Sequence, residues 1–321
     1  MATNFIDFMA CLSCHGELTP LVGDLCCSKC KQKYIVEGGI ARFVESESYS
    51  ASFGLQWNSF SKAQLDSHLG THRSRSRFEI ETGWTAKEIE NEFILDAGCG
   101  AGRFSEVALE FGAKLISIDY STAIDVTFEN LKDKGRIFAI QADLQSLPIR
   151  NRSLNYIYCI GVLQHTQFPS LVLQELTRIL KIGGTLVVSY YPRTHWYTKL
   201  YSKYLIRPIT RRLPKKLLLR LVVLSSRVWF PITTFLFSLP MPWRKLFRFL
   251  IPIANYPEFE YRNEFDQRTE AVLDTFDMLS PQFDHPFTQL EISNIVAECE
   301  GHFSLDFISG KEGTIRLKRI K

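Results

Sequence analysis

From Leu176 to Pro257 the chain contains no aspartate and no glutamate, while fifteen lysines and arginines fall in the same stretch. A segment of that make-up points to an anionic partner nearby. The rest of the chain offsets it, so the net charge over 321 residues is only +4. Composition therefore excludes a general polyanion binder. Long apolar runs are also missing. The longest uncharged one, Val228 to Trp243, has sixteen residues with prolines at 231, 240 and 242, short of the ~20 that span a bilayer. No secretory leader is visible, because Asp7 interrupts the only apolar start and Cys11 follows closely. There is no internal repeat and no low-complexity tract. A content of 45% hydrophobic and 22% charged residues is that of a folded protein, with room for one large core and a small module. The expectation is a cytoplasmic protein that touches the inner face of a membrane through its acid-free segment.

What is present centres on Phe93-Ile-Leu-Asp-Ala-Gly-Cys-Gly-Ala-Gly-Arg-Phe104. It reads as a buried strand, a loop with Gly98, Gly100 and Gly102, and a helix start. Such a unit lets a ligand approach the backbone closely. Asp119 follows on the next strand, 21 residues after Gly98, the spacing at which an acid reaches ribose hydroxyls. A dinucleotide fingerprint would place a third glycine at 103, where Arg103 stands. Asp96 opens the loop with a carboxylate suited to an ammonium group.

These residues resemble the class I S-adenosylmethionine (SAM)-dependent methyltransferases of the type 11 group. Three later segments match in order: Gln141-Ala-Asp-Leu-Gln-Ser-Leu-Pro148, Leu154-Asn-Tyr-Ile-Tyr-Cys-Ile-Gly-Val-Leu-Gln-His-Thr166 and Leu176-Thr-Arg-Ile-Leu-Lys-Ile-Gly-Gly-Thr-Leu-Val-Val-Ser189. Gln164 and Ile182 stand where the family often has Glu and Pro. The resemblance implies a Rossmann-like, doubly wound α/β sheet of seven strands. It implies SAM as cofactor, with Asp143 facing the adenine amino group and the Leu144 backbone beside it. Tyr120 and Ile160 complete the implied cofactor site with Asp96, Gly98, Gly100, Gly102 and Asp119. It covers roughly residues 90–190 well.

Two C-x-x-C pairs, Cys11/Cys14 and Cys27/Cys30, are separated by twelve residues. Four thiolates at that spacing make a tetrahedral zinc site, and about forty residues are too few for a good apolar core without one. This part resembles a zinc ribbon with a structural, closed site, and Tyr34 to Ile40 looks like its closing strand. Disulfides or plain buried cysteines are the alternatives, and Cys26 beside Cys27 leaves two thiols for one ligand position. Gly16 sits where a knuckle needs a permissive backbone. Cys99, Cys159 and Cys299 read as packing residues.

The chain divides into the ribbon at 1–44, a connector at 45–90, the SAM-binding core at 91–191, a mostly helical insertion at 192–287, and a helix and hairpin at 288–321. Strands centre near 95, 117, 139, 157 and 187. In the connector, Trp57 and Phe60 either fold over the cofactor or dock the linker on the core. Lys215–Leu224 and Pro242–Ile251 read as amphipathic helices. The insertion builds the acceptor pocket in this family, so it decides the substrate.

His165 is a candidate general base, since its loop follows the fourth strand at the cofactor's mouth; a ring satisfied by packing is the alternative. Asp277 and His285 form a second candidate pair, with the acid orienting the imidazole. Thr288 and Glu291 there also read as a helix-capping box. Tyr190 and Tyr191 are placed near the acceptor. The leading function is methyl transfer, to oxygen, on a small-molecule, glycan or lipid-linked acceptor. A ribosomal- or transfer-RNA methyltransferase with an RNA-binding ribbon ranks behind it, and a non-catalytic SAM-binding scaffold comes third. The oligomeric state is not legible.

Overall fold

The computed structural model describes residues 5–44, 51–193, 195–308 and 313–321. Twelve strands are formed among them: β1 (Leu18–Leu21), β2 (Asp24–Cys27), β3 (Lys33–Tyr34), β4 (Val36–Glu37), β5 (Ile40–Arg42), β6 (Phe93–Ala97), β7 (Lys114–Asp119), β8 (Ile137–Gln141), β9 (Leu154–Cys159), β10 (Leu180–Ser189), β11 (Phe303–Phe307) and β12 (Thr314–Arg319). The connector folds as α1 (Ala51–Ser59), α2 (Asp66–Leu69), α3 (Arg73–Thr82) and α4 (Ala86–Ile89). The core contributes α5 (Arg103–Glu110), α6 (Ala123–Leu131) and α7 (Pro169–Ile179). The insertion folds as α8 (Ser202–Thr210), α9 (Lys215–Ser238), α10 (Trp243–Leu250) and α11 (Glu264–Leu279), and α12 (Gln289–Ala297) precedes the last two strands.

One nine-stranded sheet runs in the order β11-β12-β10-β9-β6-β7-β8-β5-β4. From β10 to β8 its neighbours are parallel, and β12 enters antiparallel between β10 and β11. These seven are the expected doubly wound sheet. Helices cover both faces, so the central strands have no polar side: Ile94, Leu95 and Ala97 on β6, and Leu115, Ile116 and Ile118 on β7, are all buried. Each such leucine or isoleucine contributes about 1.5–3 kcal/mol relative to exposure. Helix α7 shows the matching periodicity. Pro169 starts it, and Val172, Leu173, Leu176 and Ile179 face the core.

The other two strands come from the N-terminal segment and correct the expected ribbon closure. Only Lys33–Tyr34 closes the ribbon, as β3 beside β2. The chain then leaves, and β5 pairs parallel with β8 at the edge of the large sheet. Arg42 bridges Asp125 on α6 and Gln141 on β8. The ribbon is thus stitched to the core, with Phe5 packed on Phe93 and Phe138. A parallel edge position needs a partner strand whose two faces are both covered, a demand that the sequence of residues 36–42 does not announce.

In the insertion, α9 is longer than expected. The uncharged run from Val228 continues the helix begun at Lys215 and passes through Pro231 to Ser238. The resulting 24-residue helix is long and apolar enough, by length and composition alone, to cross a membrane. The final hairpin forms as expected from β11 and β12, although Ser309 to Glu312 in its turn lie outside the described residues.

Candidate active site

A cavity of about 490 Å³ opens at the carboxyl ends of β6, β7 and β9, where ligands bind in doubly wound sheets. Its floor is the glycine loop. Gly98 and Gly100 adopt positive φ, and neither has room for a side chain: a Cβ on Gly98 would lie 2.5 Å from Val162, and one on Gly100 3.0 Å from Trp57. Gly102 lies behind the cavity, where α5 meets Leu131 of α6. Asp119 sits at the end of β7. It accepts hydrogen bonds from the Gly100 amide (3.0 Å) and from the Ser121 amide and hydroxyl (2.9 and 2.7 Å). Tyr120, Leu144 and Ile160 add walls, and so does Cys99.

Two acids named from the sequence stand back from this cavity. Asp96 is buried and accepts from the Ser105 hydroxyl at 2.6 Å. Burial pushes its carboxyl up to about 7. Asp143 accepts from the Gln145 amide and side chain, closing its own turn, while Leu144 beside it reaches the wall.

The opposite half comes from distant segments: Phe53, Gln56 and Trp57 of α1, His165, Tyr191, Lys203 of α8, Tyr256, and Asp274 and Asp277 of α11. The His165 ring lies against Phe53 and Tyr191. Its Nδ1 is 3.1 Å from the Phe283 carbonyl, and its Nε2 is buried with no partner among the described residues. A carbonyl accepts only, so Nδ1 carries a proton, and in the neutral ring that tautomer leaves Nε2 as the acceptor. Asp277 accepts from Gln56 at 3.3 Å. Burial, with Glu270 and Asp277 close by, pushes Asp274 well above the usual carboxylate range. Burial pulls Lys203 down, against the pull of Asp284 3.5 Å away.

The expected Asp277–His285 pair is not formed. Asp277 shares the main cavity with His165, whereas His285 lines a neighbouring one with Arg193, Lys199, Tyr204 and Asp284. The reason is the strand-like path of 285–287, whose amides bond to Gln164 and Tyr191 and turn the imidazole to the far side. The capping box at Thr288 and Glu291 does form. The two aromatics of the connector divide: Trp57 covers the glycine loop, and Phe60 packs with Leu55 against α9 and α11. Tyr191 reaches the cavity, while Tyr190 is buried beside Phe287.

Residues 95–188 match a family described as a methyltransferase domain. The chain carries a SAM-dependent methyltransferase domain. Relatives include a malonyl-[acyl-carrier protein] O-methyltransferase from Hamiltonella defensa, 31% identical over 32% of this chain and 39% of that one. A ubiquinone biosynthesis O-methyltransferase from Nitrosomonas europaea is 27% identical over 38% of this chain and 55% of that one. A tRNA U34 carboxymethyltransferase from Nautilia profundicola is 30% identical over 31% and 34%. The chain thus spans about half or less of the length of each of these relatives.

The domain's residues fit SAM. The loop offers backbone where a Cβ would block approach, Asp119 is placed for hydroxyl donors, and Leu144 and Ile160 supply apolar surface for a flat base.

At the other end of the chain, the Sγ atoms of Cys11, Cys14, Cys27 and Cys30 all lie within 4.8 Å of one another. Cys11–Cys30 and Cys14–Cys27 are 3.5 Å apart. Four sulfurs at ~2.3 Å from one tetrahedral zinc would stand ~3.8 Å apart, so the cluster is compatible with that ion. Cys26 points away, toward the carbonyls of Cys27 and Lys31. Gly16 is needed for space: a Cβ there would meet Cys27 Sγ at 2.9 Å. The left-handed residues are instead His15 and Lys31, just after each pair.

Sequence reasoning missed Lys203, Tyr256, Asp274, Gln64 and Arg103 as cavity residues. Arg103 was visible as the residue in place of a third glycine. It donates to Ser74, and burial lowers it to about 10. For Lys203 and Tyr256 no local signal existed.

Proposed function

We propose that the chain transfers the methyl group of SAM to a hydroxyl oxygen of a small-molecule or glycan acceptor, free or carried on a lipid. The observation that carries this reading is the bare His165 Nε2 in the same cavity as the glycine loop and Asp119. SAM supplies a methyl on a good leaving group, so alignment is much of the task. A hydroxyl acceptor must also lose its proton. His165 takes it at Nε2, and the Phe283 carbonyl holds the tautomer through Nδ1–H. Phe53 and Tyr191 fix the ring plane. Gln56, Tyr256, Asp274 and Asp277 offer acceptors and donors to the acceptor's other hydroxyls. Trp57 closes over the loop and keeps water out. Carboxyl groups at the acceptor end favour a polyhydroxylated molecule over a phosphate chain, which ranks the RNA reading second. We further propose that the four-cysteine cluster holds one structural zinc, since four sulfurs leave no open position for chemistry.

The test is methyl transfer from labelled SAM to a panel of phenols, saccharides, lipid-linked saccharides and total RNA. Label in a hydroxyl-bearing acceptor, lost in His165→Ala, is the expected result. Label in RNA alone would overturn the acceptor class. Absence of transfer with SAM bound would leave the scaffold reading.

A further inference from the structure

Helix α9 has two apolar stripes on opposite sides. Leu218, Val222, Ser226, Phe230, Thr233 and Phe237 are buried, and Leu218 and Val222 pack with Val272, Phe276 and Leu279 of α11. Leu217, Leu221, Leu224, Val228, Ile232 and Phe235 recur at the same three- and four-residue spacing and are 40–68% exposed. At ~100° per residue the second stripe faces away from the first. A helix packed on the protein along one side needs only one such stripe. Trp243, Leu246 and Leu250 of α10, and Leu205 and Ile209 of α8, add further exposed apolar surface. A long exposed apolar stripe of this kind marks an interaction site.

The charges around it say what kind. Of the fifteen basic residues between Leu176 and Pro257, Arg178, Arg193, Lys203, Arg207 and Arg248 pair with carboxylates of the protein. Lys215 donates to the Arg211 and Ser280 carbonyls. Arg211 and Arg212 between α8 and α9, Lys216, Arg220 and Arg227 on α9, and Arg244 and Lys245 on α10 have no carboxylate partner among the described residues, and at ~100° per residue Lys216, Arg220 and Arg227 lie on one side of the exposed stripe. A second copy of this face would bring like charges together. RNA has no apolar surface for six aliphatic and aromatic side chains. An anionic bilayer answers both features.

We propose that α9, with the outer faces of α8 and α10, rests in the interfacial layer of an anionic lipid membrane. Basic residues draw it to the headgroups and the exposed stripe enters the acyl boundary. The helix lies along the surface and does not cross, because its inner stripe stays packed on the protein along its length. The proposal goes beyond the acceptor reading and does not depend on it.

Flotation of the full chain with phosphatidylcholine vesicles, alone or mixed with phosphatidylglycerol, tests it, with SAM binding measured in parallel. About tenfold or greater preference for the anionic vesicles is expected. The preference should be lost in Arg220→Glu/Arg227→Glu, and capture should be lost in Leu221→Glu/Leu224→Glu, with SAM binding unchanged in both. On the wild type, tryptophan emission should shift to the blue with anionic vesicles, which needs no variant to fold. No capture and no shift would overturn the proposal. So would a wild-type dimer that Leu221→Glu/Leu224→Glu dissolves, or tight RNA binding without vesicle capture.

Discussion

The cofactor half and the acceptor half of the cavity are assembled in opposite ways. Gly98, Gly100 and Asp119 lie within 22 residues of chain, and one strand–loop–helix–strand unit sets their geometry. The four cysteines likewise fall within twenty residues. The acceptor half gathers Phe53, His165, Tyr191, Lys203 and Asp274 from separate elements more than two hundred residues apart at the extremes. Local sites are fixed by short motifs, so a single change there should weaken or abolish the binding of the one group that the motif holds. A dispersed wall is held by packing, so its residues should act by degrees, according to the chemistry each performs.

The largest expected effect is at the cysteine cluster. Cys27→Ser should lose the metal and unfold the ribbon, because structural zinc in small modules is worth about 10–16 kcal/mol of apparent binding energy. Amide exchange should rise at β8, whose edge is covered by β5. Cys26→Ser should keep the metal. Elemental analysis of both variants checks this, and the reverse pattern would move the fourth ligand to Cys26.

Next comes His165. His165→Ala should lower kcat by roughly 10²–10⁴ with SAM affinity nearly unchanged. An unaltered kcat would reduce the ring to packing between Phe53 and Tyr191. A smaller effect is expected at Asp96. Its folded carboxyl is raised from 3.8 to about 7 by burial. Between those values the native state keeps a proton that the unfolded chain has released, so stability falls as pH rises through the window. The loss is ~4 kcal/mol at most. Asp96→Asn should flatten it, which thermal melts at pH 4 to 8 would show.

The same division explains what was legible in the sequence. The glycine loop, Asp119, the core strands and the cysteine knuckles depend on neighbours a few residues away, so spacing alone points to them. Trp57 stood out as a large aromatic in a polar linker, but only the fold separates it from Phe60. Lys203 carried no local mark, because its place depends on α8 packing over Tyr191. The second apolar stripe of α9 was hidden because Pro231 read as a break in a run that the helix carries through. Asp277 and His285 looked paired because they are close in sequence, and the backbone of 285–287 turns them to different cavities.

The central claim, that this cavity holds SAM with its ribose end at Asp119, is tested most directly by calorimetry of SAM binding to the wild type and to Asp119→Ala. Charge-assisted hydrogen bonds are worth about 1.5–3 kcal/mol each, so the variant should bind roughly ten- to a hundredfold more weakly while remaining folded. Equal affinity in the two proteins would contradict the account.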